Sequence, residues 1–235
     1  MQLFHFPQAT SQSTELSLEK EDTRHITKVL RKKVGDVVSI TNGNGDLFDG
    51  TISQLTSNRC TLELQHIKYV PAPTPRLHIA IAPTKMNERM EWFLEKSTEL
   101  GVSEITPLLC GNSERRAIKL DRFEKILVSA MKQSLQFHKP ILNPLITIEE
   151  FMGSHSNELQ LMAHCEETDK KHLSQLLHPE RHTTLLIGPE GDFTQEEIEN
   201  ALNKNFLPVH LGVTRLRTET AGVYAASLFN AITQG

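Results

Sequence analysis

The chain has 235 residues, 38% of them apolar, with 25 basic and 29 acidic side chains. That is enough for one large domain or two small ones; the formal charge of −4 argues at face value against nucleic-acid binding, which ordinarily carries a basic excess. No apolar run reaches the roughly 18–20 residues of a membrane span, and three scattered cysteines, Cys60, Cys110 and Cys165, offer neither a disulfide framework nor a zinc knuckle. The opening residues carry neither the charged nor the apolar stretch of a secretory leader, and the scattered, odd-numbered cysteines are the reduced usage expected of the cytoplasm.

Up to about residue 70 the pattern is β. An early strand at Leu16–Leu18 precedes a short helical segment, Asp22 to Lys32, in which Ile26, Val29 and Leu30 share one side. Val37–Thr41 then runs through Asn42-Gly43-Asn44-Gly45 into Leu47–Ile52. Asn-Gly pairs supply the positive φ angles of tight turns, so this is a hairpin. Cys60–Leu64 alternates at period two and adds a strand. Short strands around one short helix predict a small barrel.

Pro71-Ala72-Pro73-Thr74-Pro75 can continue neither a helix nor a central strand and sets the domain boundary, giving domains 1–72 and 73–235. Beyond it strands and helices alternate. Leu77–Ala82 is a strand; Asn87 caps a helix carrying Met90, Phe93 and Leu94; Glu104–Leu109 is a strand; Leu120–Gln136 is a long helix. Leu159–Ala163, Thr183–Ile187 and Phe206–Leu211 complete the strands. Such alternation predicts a mainly parallel sheet covered on both faces.

Two loops stand out. Gly188-Pro189-Glu190-Gly191 follows a continuous apolar strand, and Thr194 with Glu197 forms a capping box for a helix with Ile198, Ala201 and Leu202. Gly212 follows the last strand, ahead of Leu216-Arg217-Thr218-Glu219-Thr220-Ala221 and a helix, 221–232, that is apolar nearly all round. Ligands in open α/β sheets bind at strand carboxyl ends, where glycines let backbone approach closely. Taken alone, each loop is equally a plain strand-to-helix turn. The last helix is either an internal core helix or core on one side and subunit interface on the other. Dinucleotide, P-loop and Gly-x-Ser-x-Gly signatures are missing, and His164-Cys165 and His178/His182 are expected to be scattered surface residues with no metal.

Leu186-Ile187-Gly188-Pro189-Glu190-Gly191 with Leu211-Gly212-x-x-x-Leu216-Arg217-x-Glu219-Thr220-Ala221 resembles the SPOUT class of RNA methyltransferases. More narrowly it resembles the RsmE family, which methylates N3 of a uridine in small-subunit (16S) rRNA. His25-x-x-x-Val29-Leu30-Arg31, Lys85 with Arg89-Met90-Glu91, and Glu95-Lys96-x-x-Glu99-Leu100-Gly101-Val102 also match, in order and over nearly the whole chain. The pattern departs from the family's at Leu3-Phe4-His5, at Asn112 and at Ser134-Leu135-Gln136.

The resemblance implies an N-terminal PUA-like β-barrel, a C-terminal trefoil-knotted α/β domain and a homodimer. It implies an S-adenosylmethionine site lined by Ile187, Gly188, Glu190, Gly191, Leu211, Gly212, Leu216, Arg217, Glu219, Thr220 and Ala221. The substrate would be small-subunit rRNA, presented on the assembled subunit, with no DNA or membrane partner. A cation beside O2 or O4 stabilises the uracil anion formed when N3 loses its proton; Arg217 is the first choice, then Lys85 and Arg89. No general base stands out: Glu190 or Glu219 could serve, or could instead hold the cofactor or an arginine. The alternatives are another SPOUT enzyme, a ribose 2′-O-methyltransferase, or a non-catalytic RNA-binding ribosome-assembly protein.

Arg24, Lys28 and Arg31 fall at i, i+4 and i+7 of the first-domain helix, with Lys32 following. With Arg89, Arg115 and Arg116 they are the expected RNA contacts. The charge is also uneven. Residues 111–140 hold 7 basic and 3 acidic groups, whereas 141–203 hold 3 basic and 12 acidic. RNA is therefore expected at the first-domain helix and the 111–140 region.

Overall fold

A computed structural model describes residues 2–56, 59–154 and 159–233. The chain divides into two compact units: Met1–Ala72 with Met131–Lys139, and Pro73–Ala130 with Pro140–Gly235.

In the first unit, β1 (Leu3–His5), β2 (Glu15–Leu18), β3 (Val37–Thr41), β4 (Asp46–Leu55) and β5 (Cys60–Tyr69) form one sheet in the order β1-β3-β4-β5-β2. Only β1 and β3 pair in parallel. Alternate side chains, among them Phe4, Ile40, Phe48, Ile52 and Leu62, turn inward to one core, joined by Ile26. The β3–β4 turn is a hairpin whose Gly43 (φ 74°) and Gly45 (φ 102°) adopt the left-handed backbone. The boundary drawn at the proline cluster does not assign residues 131–139 to this unit. Lys139 N–H donates to the Gly43 carbonyl and Gly45 N–H to that of Phe137, both at 2.9 Å. The His138 imidazole nitrogen Nε2 lies 2.7 Å from the Val70 carbonyl.

The predicted helix over 22–32 is two pieces: α1 (Lys20–Arg24), then a π-helical turn, His25–Val29. The Thr27 hydroxyl donates to the Thr23 carbonyl at 2.9 Å, competing with the helical ladder, a recognised cause of irregular turns. Leu30 N–H then reaches His25, five residues back. The wider turn breaks the expected apolar side: Ile26 is buried, whereas Val29 points to solvent.

The second unit is an all-parallel sheet. β6 (Leu77–Ile81), β7 (Glu104–Leu109), β8 (Ile141–Leu142), β10 (Leu159–Ala163), β11 (Lys171–His172), β12 (Thr183–Ile187) and β13 (Leu207–His210) stand in the order β11-β13-β10-β12-β6-β7-β8, and β9 (Ile146–Thr147) pairs with β7. Every residue of β6 and β12 is buried, as a strand covered on both faces requires. Ile79, Ile81, Leu185 and Ile187 meet side chains of α2 (Asn87–Glu99), α3 (Leu120–Gln133) and α6 (Thr218–Thr233). Ala80, Leu186 and Met162 meet those of α4 (Ile148–Ser154) and α5 (Gln195–Asn203).

Several ends differ from expectation. Asn87 is the first helical residue of α2 and does not cap it; extended Met86 does so without a side-chain bond. The long helix stops at Gln133, with Leu135 at φ 57°. Phe206 is outside β13 because its N–H closes α5 on the Ala201 carbonyl. In α5 Ile198 and Ala201 go inward but Leu202 is exposed. Among the described residues no helix is long and apolar enough to cross a membrane.

Candidate active site

The carboxyl ends of β10, β12, β6 and β7 lie side by side, and the loops leaving them hold one another. Residues 188–193 turn sharply at Asp192 (φ 62°), whose N–H donates to the Pro189 carbonyl. Asp192 Oδ1 accepts from Phe193 N–H at 2.9 Å and Oδ2 from Cys165 N–H, beyond β10, at 2.6 Å. From beyond β7, Asn112 donates its amide to the Gly191 and Asp192 carbonyls, both at 3.1 Å. Lys85 N–H, beyond β6, donates to Glu190 Oε1 at 3.1 Å. A Cβ at Gly188 would lie 3.2 Å from the Phe193 ring, and one at Gly191 3.2 Å from Asn112. A side chain at either position would press on these neighbours, so both glycines let the loop close tightly.

The capping box forms as expected: Thr194 Oγ1 accepts from Glu197 N–H and Glu197 Oε2 from Thr194 N–H. Its other oxygen, Oε1, accepts from Gly111 N–H at 2.7 Å, so buried Glu197 also ties the β7 loop to α5. Beside it a cavity of about 360 Å³ is lined by Gly111, Arg116, Glu149, Glu196 and Asn200.

The loop after β13 is built differently. Gly212 has φ 138°, and no atom lies within 4 Å of where a Cβ would stand. Gly212 to Arg215 are exposed, Val213 completely so. The chain is caught again where α6 begins: Ala221 N–H donates to the Arg217 carbonyl, and the Thr218 hydroxyl donates to the Gly188 carbonyl at 3.1 Å. That last bond joins the two glycine loops. Glu219, only 6% exposed, has Oε1 3.7 Å from Arg89 Nε, while Oε2 is buried without a hydrogen-bond partner. Ile187 and Ala221 are buried and Leu211, Leu216 and Thr220 half-buried around this junction.

Of the cations singled out in the sequence, the exposed Arg217 side chain makes no ion pair or hydrogen bond among the described residues. Lys85 does: its ammonium lies 2.7 Å from Glu114, which raises its pKa. Arg89 faces Glu219. Arg115 straps the β6 loop, donating to the Thr84 and Lys85 carbonyls at 2.9 and 2.6 Å. Arg116 lines the cavity. Arg24, Lys28, Arg31 and Lys32 belong to the first unit.

Sequence reasoning missed Asp192 and Thr218, placed His164 on the surface, and met Asn112 only as a departure from a pattern. Asp192 carried a usable signal, since Asp after Gly is among the side chains that tolerate left-handed backbone. His164 is buried rather than a surface residue, 6% exposed, with neither ring nitrogen partnered. Burial first, then Lys170, holds its pKa below the ordinary 6.5. Among the described residues no His, Cys, Asp and Glu group is arranged to hold a metal ion.

A parallel sheet carrying paired loops at its strand ends, with a separate β unit, defines the class. Residues 71–230 match the RNA methyltransferase domain family and 18–65 the RNA methyltransferase PUA domain. The ribosomal RNA small subunit methyltransferase E of Buchnera aphidicola subsp. Schizaphis graminum is 33% identical over 221 residues, covering 89% of this chain and 87% of that one. A solved probable rRNA-methyltransferase from Porphyromonas gingivalis is 38% identical with a TM-score of 0.89, covering 100% and 99% of the two chains. The ribosomal RNA small subunit methyltransferase E of Neisseria gonorrhoeae, solved bound to S-adenosyl methionine, is 28% identical with a TM-score of 0.87, covering 99% and 98%. The chain belongs to the ribosomal RNA small subunit methyltransferase E family.

Proposed function

We propose that this RNA methyltransferase takes its methyl group from S-adenosylmethionine and places it on N3 of a uridine in small-subunit rRNA. In the same reading it works in the cytoplasm, as a homodimer, on the assembled subunit. The observation that carries the proposal is the junction of the two glycine loops at the Thr218–Gly188 hydrogen bond. There Gly212 leaves open space over its backbone, and Glu219 Oε2 lacks a donor. Such a junction fits a ligand that has both an apolar body and N–H donors, as S-adenosylmethionine does. The Neisseria gonorrhoeae relative with that molecule bound supports the assignment.

Bound there, S-adenosylmethionine supplies an electrophilic methyl group. The chain's residues then have two tasks, positioning and charge. Leu211 and Leu216 would flank the ligand, backbone groups of Gly188 and Gly212 would approach it, and Glu219 Oε2 would accept from one of its donors. Uracil N3 lies on the Watson–Crick edge, so the uridine is taken unpaired or flipped from its stack. Transfer of the N3 proton to the exposed Glu190 carboxylate or to solvent would leave negative charge on O2 and O4, and Arg217, which has no ion-pair partner among the described residues, is the cation we expect to meet it. Lys85 is a poorer candidate because Glu114 already holds its ammonium. The outward side of α6, with Val223, Tyr224 and Leu228 half-buried in one copy, suits cover by a second copy. The proposal includes a trefoil knot at the two loops, supported by the strand order, in which β13 returns past β10.

The test is methylation of small subunits from cells lacking this protein, followed by nucleoside identification. N3-methyluridine at one position is expected. A methylated ribose, or S-adenosylmethionine bound without any transfer to rRNA, overturns the assignment.

A further inference from the structure

The π-helical turn of the first unit leaves one feature that the methyl-transfer site does not use. Val29 is 66% exposed and Val34 60% exposed, in a segment that also carries Lys28, Arg31, Lys32 and Lys33. A lone exposed valine needs no explanation. Two of them within six residues, set among four cations, form a mixed apolar and basic patch. Among the described residues none of the four cationic side chains makes a hydrogen bond or ion pair. Asp36 is turned to the backbone, its Oδ2 accepting from the Lys33 N–H at 2.8 Å.

The patch is also held in shape. Lys32 N–H donates to the Ile26 carbonyl, Asp36 N–H to that of Lys33 and Gly35 N–H to that of Ile52. Arg31 stands at φ 54°, a left-handed backbone that a bulky residue adopts at a cost. With the Thr27 back-bond, these features turn Val29 outward where a regular helix would turn it in. An apolar side chain on a fixed turn, with cations beside it in the chain, loses little freedom on binding, and its chemistry suits single-stranded RNA, whose unstacked bases offer apolar faces and whose phosphates meet the cations.

We infer that Val29 is a base-contacting residue of the RNA-docking surface, an apolar platform for one unstacked nucleotide, with Lys28 and Arg31 on the flanking phosphates. This rests on the reading of the chain as an enzyme acting on rRNA. It adds a specificity element that the basic stripe alone lacks, because phosphate contacts position RNA and base contacts select it.

Binding of oligouridylate and of duplex RNA is measured across a salt series for the full chain, Val29→Ser, Val29→Leu and Lys28→Ala/Arg31→Ala. Val29→Ser weakens oligouridylate binding by about five- to tenfold, the scale of burying part of one aliphatic side chain, without changing the salt slope or duplex affinity. Val29→Leu restores it. The double variant flattens the salt slope by about 1.4, two phosphates at about 0.7 each on a single strand. In methylation of small subunits, Val29→Ser raises KM and leaves kcat alone. Oligouridylate affinity unchanged in Val29→Ser, or an equal loss on duplex and single strand, overturns the inference. If the unaltered chain transfers no methyl group to rRNA, the functional reading fails instead, and the oligouridylate arm still decides whether Val29 contacts RNA.

Discussion

The two glycine loops each leave a parallel strand for a helix, yet the chain holds them in opposite ways. Residues 188–193 receive bonds from beyond β10, β6 and β7, through Cys165, Lys85 and Asn112. Gly212 to Arg215 lie exposed and make no hydrogen bond or ion pair among the described residues. One loop is set before any ligand arrives, and the other is anchored only at its ends. A fixed floor positions a ligand, while an unpaired loop is free to order on one.

The sharpest way to break this contrast is at Gly212. Gly212→Val places a side chain where φ is 138° and where the backbone faces open space. S-adenosylmethionine affinity should fall by more than about 100-fold in calorimetry, since strain and blocked approach combine. Arg217→Ala should leave that affinity within about threefold but slow single-turnover methylation by about 100-fold, the cost of removing one stabilising charge; equal loss of both would make Arg217 a binding residue. In the fixed loop, Asp192→Ala removes two acceptors from a left-handed position. About tenfold weaker S-adenosylmethionine binding and a lower Tm are expected, with Asp192→Asn recovering only part of both, because it keeps one acceptor and sets its NH2 against the other N–H.

His164 tests the floor by pH. Its folded pKa lies below 6.5 because burial disfavours the charged ring. Below pH 6.5 the unfolded chain therefore binds the extra proton, and stability falls as pH drops toward the folded value, by at most about 1.4 kcal/mol per pH unit. Urea unfolding between pH 7.5 and 5.5 should show this slope, and His164→Leu should lessen it. The smallest effect belongs to Lys85: its ammonium is exposed and paired with Glu114, so Lys85→Ala should change turnover by less than about threefold.

The contrast also explains what the sequence disclosed. Local rules were legible: buried strands as apolar runs, the Asn-Gly hairpin, and the Thr194–Glu197 box, each encoded within a few neighbouring residues. The positions of both glycine loops followed from those strands. Their unequal support did not, because it comes from bonds between distant residues, such as Asn112 to Gly191 and Lys85 to Glu190. The same holds for residues 131–139, which start in the last turn of a helix begun in the second unit and bond to Gly43, Gly45 and Val70 of the first. The π-turn was hidden for another reason. A side-chain bond from Thr27 changed the helical period itself, and the stripe of Arg24, Lys28 and Arg31 was counted on the regular one.

Amide hydrogen exchange with and without S-adenosylmethionine tests the division between the loops most directly. The account predicts that 188–193 is protected in the free protein and changes little, while 212–217 exchanges fast and becomes protected on binding. Fast exchange at 188–193 in the free protein, or no protection of 212–217 by the ligand, would contradict it.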